Sequence, residues 1–173
     1  MQVEELFYLP DGQQMVRVVV RVVTAALLGA LLGAERERAG KPAGLRTHML
    51  VALGAALFVL FPAESGMEVA DLSRVIQGVA TGIGFIGAGS VLKLTRRREI
   101  RGITTAAGIW VTAAVGVTAG LGFESVAALA VLLAWAVLTA VGRLEARYIR
   151  RHGRVITRER LAGGRPARPD EPR

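Results

Sequence analysis

A glycine-rich apolar stretch decides the fold of this chain: Arg74-Val-Ile-Gln-Gly-Val-Ala-Thr-Gly-Ile-Gly-Phe-Ile-Gly-Ala-Gly-Ser-Val-Leu92. At about 1.5 Å of rise per residue, a helix of this length crosses a hydrocarbon core roughly 30 Å thick. On such a helix Gly78 and Gly82 lie on one face, and Gly84 lies nearly opposite. Small residues let other helices approach closely in membranes, so we predict a transmembrane helix buried among its neighbours.

The composition indicates an integral membrane protein without a separate large soluble domain. The 173 residues are 52% hydrophobic, with a mean hydropathy of +0.43 and no cysteine. Lacking cysteine, the chain has no disulfide framework and no thiolate metal site. The net charge of +8 comes from basic blocks between apolar segments, which is typical of membrane topology and not of nucleic-acid binding.

The sequence predicts an all-α, polytopic membrane protein built as a bundle of five transmembrane helices. The apolar region 102–142 is too long for one crossing, so it is predicted to hold two spans with a turn near residues 120–122. The other spans are bounded by charged runs and by Gly and Pro breakers. The five predicted spans are approximately residues 16–34, 45–61, 74–92, 102–120 and 123–142.

Charge sets the predicted orientation, with the N-terminus outside and the C-terminus cytoplasmic. All of the 22 lysines and arginines except Arg17, Arg21 and Arg74 then lie on the cytoplasmic side, as the positive-inside rule requires. Residues 1–15 become an extracytoplasmic segment. Residues 143–173 become a basic, partly disordered cytoplasmic tail that rests on anionic lipid headgroups.

Arg17 and Arg21 lie one helical turn apart in the outer third of the first span. Either they snorkel to the interface, or they pair with acidic residues near the second outer loop. The acidic residues within reach of such pairing are Glu64, Glu68 and Asp71.

The run Gly82-x-Gly-x-x-Gly87 matches the dinucleotide-binding fingerprint in letters only. That fingerprint follows a strand and opens a helix beside water, whereas this match lies inside an apolar span. Close helix packing accounts for it better, and we expect leucine at Gly82 or Gly89 to block assembly. The glycines predicted to pack helices together are Gly29, Gly33, Gly78, Gly82, Gly84, Gly87, Gly89, Gly108 and Gly116.

Arg74 and Gln77 are polar residues within the third span. A charge at a helix centre costs roughly 2.5 to 3.5 kcal/mol on insertion scales, so such a residue normally has a polar partner or lies in a wet cavity. Arg74 lies either at the interface beside Asp71 or deeper with a partner. Gln77 lies deeper, and we expect Thr104, Thr105 or a backbone carbonyl to bind its amide.

A polar cluster is predicted at the cytoplasmic mouth of the bundle. Glu35 and Arg36 end the first span there, and Arg46-Thr-His48 begins the second. As a magnesium site the cluster is weak, because Mg²⁺ prefers octahedral oxygen ligands and no acidic residue lies in mid-membrane. With two histidines, no cysteine and no base near Ser90, we expect neither an enzyme nor a bound cofactor.

Three blocks resemble the signature blocks of the MgtC/SapB family of bacterial inner-membrane proteins. They are Gly33-Ala-Glu-Arg-Glu-Arg-Ala-Gly-Lys-Pro-Ala-Gly-Leu-Arg-Thr-His-Met-Leu-Val51, Gly82-Ile-Gly-Phe-Ile-Gly-Ala-Gly89 and Arg101-Gly-Ile-Thr-Thr-Ala-Ala-Gly-Ile-Trp110. The resemblance covers roughly residues 16–142 and implies a five-helix membrane domain in the orientation given above. The polar motif positions that it implies are Glu35, Arg36, Arg46, Thr47, His48, Arg74, Gln77, Thr104, Thr105 and Trp110.

The resemblance also implies a role in magnesium and ion homeostasis, in adaptation to low magnesium and, in pathogens, in survival inside macrophages. Two mechanisms stay open, which are modulation of a membrane partner such as the F-type ATP synthase and transport of Mg²⁺ or another cation. The residues favour the modulator, because a Mg²⁺ pathway is expected to present carboxylates to a cavity. A homo-oligomer is another partner to test. Fuller family members carry a soluble α/β C-terminal domain, whereas a basic tail follows the fifth span here.

Overall fold

The computed structural model describes residues 11–94 and 99–144. Its helices are α1 (Gly12–Arg38), α2 (Leu45–Glu64), α3 (Val69–Gly89), α4 (Ile103–Gly120) and α5 (Glu124–Ala136). Between α3 and α4, the short strands β1 (Leu92–Leu94) and β2 (Glu99–Arg101) pair antiparallel. The chain divides into two units, Met1–Trp135 and Ala136–Arg173, and the described part of the second contains a π-helical segment, Val137–Val141.

Five helices in the described part of the chain are long and apolar enough to cross a membrane. They contain 18 to 27 residues, and the last of these spans runs over Glu124–Leu144. This confirms the predicted fold class, an all-α protein with five membrane-spanning helices. The orientation stays a prediction. The N-terminal segment and the basic tail also stay predictions, because residues 1–10 and 145–173 lie outside the described residues.

The first two helices are longer than predicted. The α1 helix extends four residues beyond each predicted end. At its start, Asp11 caps the helix by accepting a hydrogen bond from the Gln14 N–H at 2.6 Å. The α2 helix continues through Pro62 to Glu64. Proline removes one backbone donor, but Ser65 still closes the last turn by donating to the carbonyl four residues earlier.

The third helix is shifted towards the N-terminus. The α3 helix begins five residues before its predicted start and ends three residues before its predicted end. Asp71 lies in its first turn, where the helix dipole stabilises a negative charge. Ser90 ends the helix by donating from its Oγ to the Gly87 carbonyl at 2.7 Å. Arg74 therefore lies in the second turn and not at the front of the helix.

The core of the first unit forms where α1, α2 and α4 pack against one another. A Cβ added to Gly29 of α1 would lie 2.8 Å from the Cβ of Ala52. On α4, a Cβ at Gly116 would overlap the carbonyl oxygen of Ala52, and one at Gly120 would lie 2.6 Å from that of Ala56. Both alanines are fully buried. The backbones of α1 and α4 are therefore both in direct contact with the backbone of α2.

The α3 helix packs on the edge of this core. Ile83 is buried in one cluster with Ile109 and Ala113 of α4, and a Cβ at Gly87 would lie 3.6 Å from that of Ala106. The prediction that this helix is buried among its neighbours is therefore wrong for the single chain. The direct contact of α1 and α4 with α2 already fills the interior, so α3 has one packed side only.

The exposed side of α3 includes four of the glycines predicted to pack helices. A Cβ at Gly78, Gly82, Gly84 or Gly89 would have no neighbour within 4 Å. Any close packing at these positions must come from outside this chain, so leucine at Gly82 or Gly89 is no longer expected to block its folding. Gly78 and Gly82 line an apolar groove of about 580 Å³, and Phe58 of α2 lies on its other wall.

Two glycines with positive φ form the turns into α4 and α5. Gly102 precedes α4 with φ of 99°, and a Cβ there would overlap the Ser90 carbonyl oxygen. Gly122, with φ of 88°, lies in the turn that the sequence predicts between the last two spans. Residues other than glycine rarely adopt positive φ, because their Cβ atom clashes with the backbone, so glycine is required at both turns. After the second turn, Ala127 and Val131 bury one side of α5.

Candidate functional site

His48 lies where α1, α2 and α4 meet, in the first turn of α2, and is fully buried. Glycines of both neighbouring helices face it. A Cβ at Gly33 of α1 would lie 3.0 Å from the His48 Cβ, and one at Gly108 of α4 would lie 3.6 Å from Nε2. Gly29 approaches the His48 carbonyl oxygen in the same way. Because these glycines have no side chains, space remains between the helices for the His48 imidazole.

The His48 ring has one hydrogen-bond partner in the part of the chain that the structure describes. Its Nδ1 lies 3.0 Å from the Gly44 carbonyl oxygen, so Nδ1 carries a hydrogen and donates it. Nε2 is buried without a partner among the described residues. A buried polar atom without a partner costs about 1 to 3 kcal/mol. His48 Nε2 is therefore the least satisfied polar atom of the described core.

Arg36 and Glu35 form a buried ion pair beside this junction. The Arg36 Nε donates to the Glu35 Oε2 at 2.5 Å, and the Arg36 side chain is 4% exposed. Arg36 follows Gly33 by three residues, so it lies one turn further along the side of α1 that faces His48. Thr105, in the first turn of α4, is buried at the same end of the bundle. We call Glu35, Arg36, His48 and Thr105 the His48 end.

Four other predicted polar residues do not join the His48 end. Arg46 and Thr104 are exposed, and Thr47 is half-buried. Trp110 is exposed on α4, where it lines a second groove of about 190 Å³ beside α3. The lining of that groove is almost entirely apolar, so it suits hydrocarbon better than a hydrated ion.

Glu64 lies at the end of α2, at the opposite end of the core from His48. It contacts three polar side chains of α1. Arg21 donates to its Oε1 at 2.7 Å, and the Gln14 side chain donates to its Oε2 at 3.4 Å. Arg17 lies 3.8 Å from Oε2. The Arg21 side chain is 19% exposed and that of Arg17 is 51% exposed, so Arg21 is the embedded partner. Of the two alternatives left open for Arg17 and Arg21, the structure shows pairing with an acidic residue, Glu64.

Arg21 also covers the turn between α4 and α5. A Cβ at Gly122 would lie 2.8 Å from its Nη2. The guanidinium thus joins α1 to the end of α2 and to this turn. Sequence reasoning missed the contact with the turn, although the arginine inside an apolar span and the glycine in the turn were both visible as separate signals.

Arg74 and Gln77 lie on the exposed side of α3. The Arg74 Nε lies 3.6 Å from the Asp71 Oδ1, and the Arg74 side chain is 81% exposed. Of the two positions predicted for Arg74, the structure shows the pairing with Asp71. The pair is exposed and contributes only about 0 to 1 kcal/mol, so it does not hold α3 in place.

The predicted binding of Gln77 by Thr104 or Thr105 is wrong. The α3 and α4 helices pack antiparallel, and Gly87 lies against Ala106. Ten residues separate Gln77 from Gly87 along α3, so the threonines lie about 15 Å further along the helix axis.

The described residues contain no group of three or more His, Asp or Glu side chains that could hold a metal ion. At the His48 end, Arg36 already engages the Glu35 carboxylate. The contacts that the structure shows there are an ion pair and a hydrogen bond between groups of the protein itself.

The sequence model of the MgtC family matches residues 22–147. The chain belongs to the MgtC family. The matched region contains the whole His48 end and all of α2, α3, α4 and α5, and it confirms the family resemblance noted from the three blocks. Arg17 and Arg21, the partners of Glu64, precede it.

Several proteins are similar to the chain over the same share of its length. It is 47% identical over 87 residues to Protein SrpB of Synechococcus elongatus and 46% identical over 84 residues to the putative magnesium transporter YhiD of Escherichia coli K12. It is 40% identical over 77 residues to Protein MgtC of Salmonella typhimurium. Each match covers 44% of this chain, and 48%, 38% and 32% of the respective relative, so the chain spans less than half their length. No solved structure matches the chain.

Proposed function

We propose that this chain is a non-enzymatic inner-membrane protein that acts in magnesium homeostasis and adaptation to low magnesium by modulating a membrane partner, such as the F-type ATP synthase. Membership of the MgtC family supports the membrane location, and the name of YhiD, a putative magnesium transporter, supports the link to magnesium. The choice of modulation over transport rests on the packing of the core.

The observation that carries this choice is the direct backbone contact between α2 and its two neighbours. Mg²⁺ dehydrates reluctantly and usually keeps several waters, so a pathway for it needs a wide polar cavity. At Gly29 and Gly116 the neighbouring helices lie too close to Ala52 of α2 for even one added methyl group. A hydrated ion does not fit between backbones at this separation.

The positions of the charges support the same choice. Glu35 and Arg36 pair at one end of the core, and Glu64 and Arg21 pair at the other. Between these ends, the fully buried polar side chains include Thr112, which donates to the Gly108 carbonyl at 2.8 Å. Carboxylates therefore mark the two ends of the core and not a path through it.

Transport of Mg²⁺ or another cation is the alternative function. The buried acceptor Nε2 of His48 favours it, because that atom lacks a partner among the described residues and lies at the same end as the Glu35 carboxylate. A cation entering from this end would meet two potential ligands.

Flux into liposomes tests the proposal. Purified chain is reconstituted with a Mg²⁺ indicator inside, and we expect no uptake above that of empty liposomes. Glu35→Gln is compared with Glu37→Gln, two residues further along α1, where the carboxylate is exposed and accepts from the Leu45 N–H. Uptake that Glu35→Gln abolishes and Glu37→Gln preserves would overturn the modulator and establish the transporter.

Reconstitution together with a purified F-type ATP synthase tests the partner. We expect the chain to change the initial rate of ATP-driven proton pumping in these vesicles, whereas an equal amount of chain denatured before reconstitution leaves the rate unchanged. An unchanged rate with folded chain present in the vesicles would remove the ATP synthase from the proposal.

A further inference from the structure

One exposed side of α3 carries polar and small side chains, and the exposed Phe85 borders it. Its residues follow one another at intervals of three or four positions, so they form a continuous stripe along the helix. We call this surface the Gln77 stripe, and its exposed members are Ala70, Ser73, Gln77, Thr81, Gly84 and Ala88.

Gln77 lies inside the span, one helical turn after the exposed pair of Asp71 and Arg74. It is the ninth residue of α3, about 12 Å from the start of the helix, in a segment long enough to cross the hydrocarbon core. Its carboxamide has no hydrogen-bond partner among the described residues, whereas Thr81 donates its hydroxyl to the Gln77 backbone carbonyl at 2.8 Å. Lipid chains offer no hydrogen bonds, so an amide that is exposed to them is unfavourable.

The apolar groove beside α2 differs from the Gln77 stripe in this respect. Val75, Gly78, Val79 and Gly82 of α3 line it, and all of its lining residues are apolar. Acyl chains fill such a surface without leaving a polar group unsatisfied. Lipid therefore suits the groove, whereas on the Gln77 stripe the Gln77 carboxamide needs a polar partner, because the Ser73 and Thr81 hydroxyls already donate to carbonyls of α3.

A second copy of this chain meets that requirement by symmetry. Two copies with the same orientation in one membrane associate most simply about a two-fold axis along the membrane normal, which places residues that face the axis near their own counterparts. A carboxamide carries both donors and an acceptor, so Gln77 is complementary to Gln77 of a second copy. Arg74 borders the stripe, and its pairing with Asp71 reduces the repulsion between the two arginines.

We propose that α3 forms the interface of a symmetric homodimer, in which the Gln77 stripes of two copies pack together and their Gln77 carboxamides hydrogen-bond across the axis. Gly84 lies near the centre of the contact and lets the two helices approach closely. This inference does not depend on magnesium or on the ATP synthase, so it stands or fails separately from the proposed function.

Cysteine cross-linking of the full chain in native membranes tests the dimer, because the sequence contains no cysteine and each variant carries only one. Thr81→Cys lies on the stripe, and Gly82→Cys, at almost the same depth, lies in the groove. A disulfide needs Cα atoms about 4.4 to 6.8 Å apart, so mild oxidation is expected to give a covalent dimer with Thr81→Cys and not with Gly82→Cys.

Energy transfer between labelled copies in liposomes provides the second measurement. Gln77→Leu and Gly84→Leu are each expected to weaken dimerisation about tenfold, whereas Gly82→Leu leaves it unchanged. The three variants change exposed positions, so all are expected to fold, and their yield and helicity are compared with those of the natural chain.

Three results would overturn the proposal. These are a monomer in both measurements, cross-linking or sensitivity confined to Gly82, and capture of a different membrane protein by Thr81→Cys without homodimer. The second result would move the interface to the groove, and the third would make the Gln77 stripe the docking site of another protein.

Discussion

The glycines of the α1–α2–α4 core and those of α3 look alike in sequence but have different surroundings. At Gly29 and Gly116, the atoms of α2 occupy the space that a side chain would need. At Gly78 and Gly82 that space is open. Glycines at helical spacing therefore show that a helix can be approached closely, and the structure shows whether its own chain makes the approach.

The largest expected effect is that of leucine at a core glycine. Gly116→Leu forces a side chain into the backbone of Ala52, and we expect it to lower the free energy of unfolding by about 3 kcal/mol or more, or to prevent assembly. Gly82→Leu is the matched control, because its side chain enters the open groove. Denaturant titration in mild detergent compares them, and equal losses would remove the distinction between the two regions.

Alanine substitutions are expected to differ in sign. Gly29→Ala places a Cβ 2.6 Å from the His48 carbonyl oxygen, so it is expected to destabilise the chain by about 1 to 3 kcal/mol. Gly78→Ala meets open space and gains helix propensity, so stability is expected to stay the same or to rise by up to about 1 kcal/mol. The same denaturant titration measures the stability of both variants. Lower stability of Gly78→Ala would mean that α3 is packed more tightly than the structure indicates.

The ion pairs of Glu64 with Arg17 and Arg21 extend the contrast between embedded and exposed groups. Arg21→Ala removes a partly buried charged hydrogen bond and the cover over Gly122, and we expect a loss of about 1.5 to 3 kcal/mol. Arg17→Ala removes a longer and more exposed contact, and we expect about 0 to 1 kcal/mol.

A double-mutant cycle of each arginine with Glu64→Ala provides the measurement. Coupling to Glu64 that is larger for Arg17 than for Arg21 would contradict the assigned geometry.

Much of the fold could be predicted from the sequence, because a membrane span is a local property of about 20 residues. The start of α2 and the bounds of α4 follow from Gly44 and from Gly102 and Gly122, and the structure agrees with the predicted bounds there to within one residue. The end of α2 was missed because a proline in a last helical turn need not stop the helix.

The candidate site was predicted less well, because side-chain partners depend on how helices are aligned in space. Glu35, Arg36 and His48 are neighbours through the short α1–α2 connection, which the sequence makes visible. The partner of Gln77 depends on the antiparallel alignment of α3 with α4, and neither helix carries a mark of that alignment. The position of α3 at the edge of the core was hidden for the same reason, since glycine patterns do not identify the neighbouring helix.

Contacts between lipid and protein methyl groups test the central claim most directly, which is that the α1–α2–α4 core is closed and the groove beside α3 is open to lipid. In nanodiscs, nuclear Overhauser effects between acyl-chain protons and methyl groups are expected at Leu50 and Val79, which line the groove. None is expected at Ala52 and Ala56, which are fully buried. Lipid contacts at these two alanines, or their absence at Leu50 and Val79, would contradict the account.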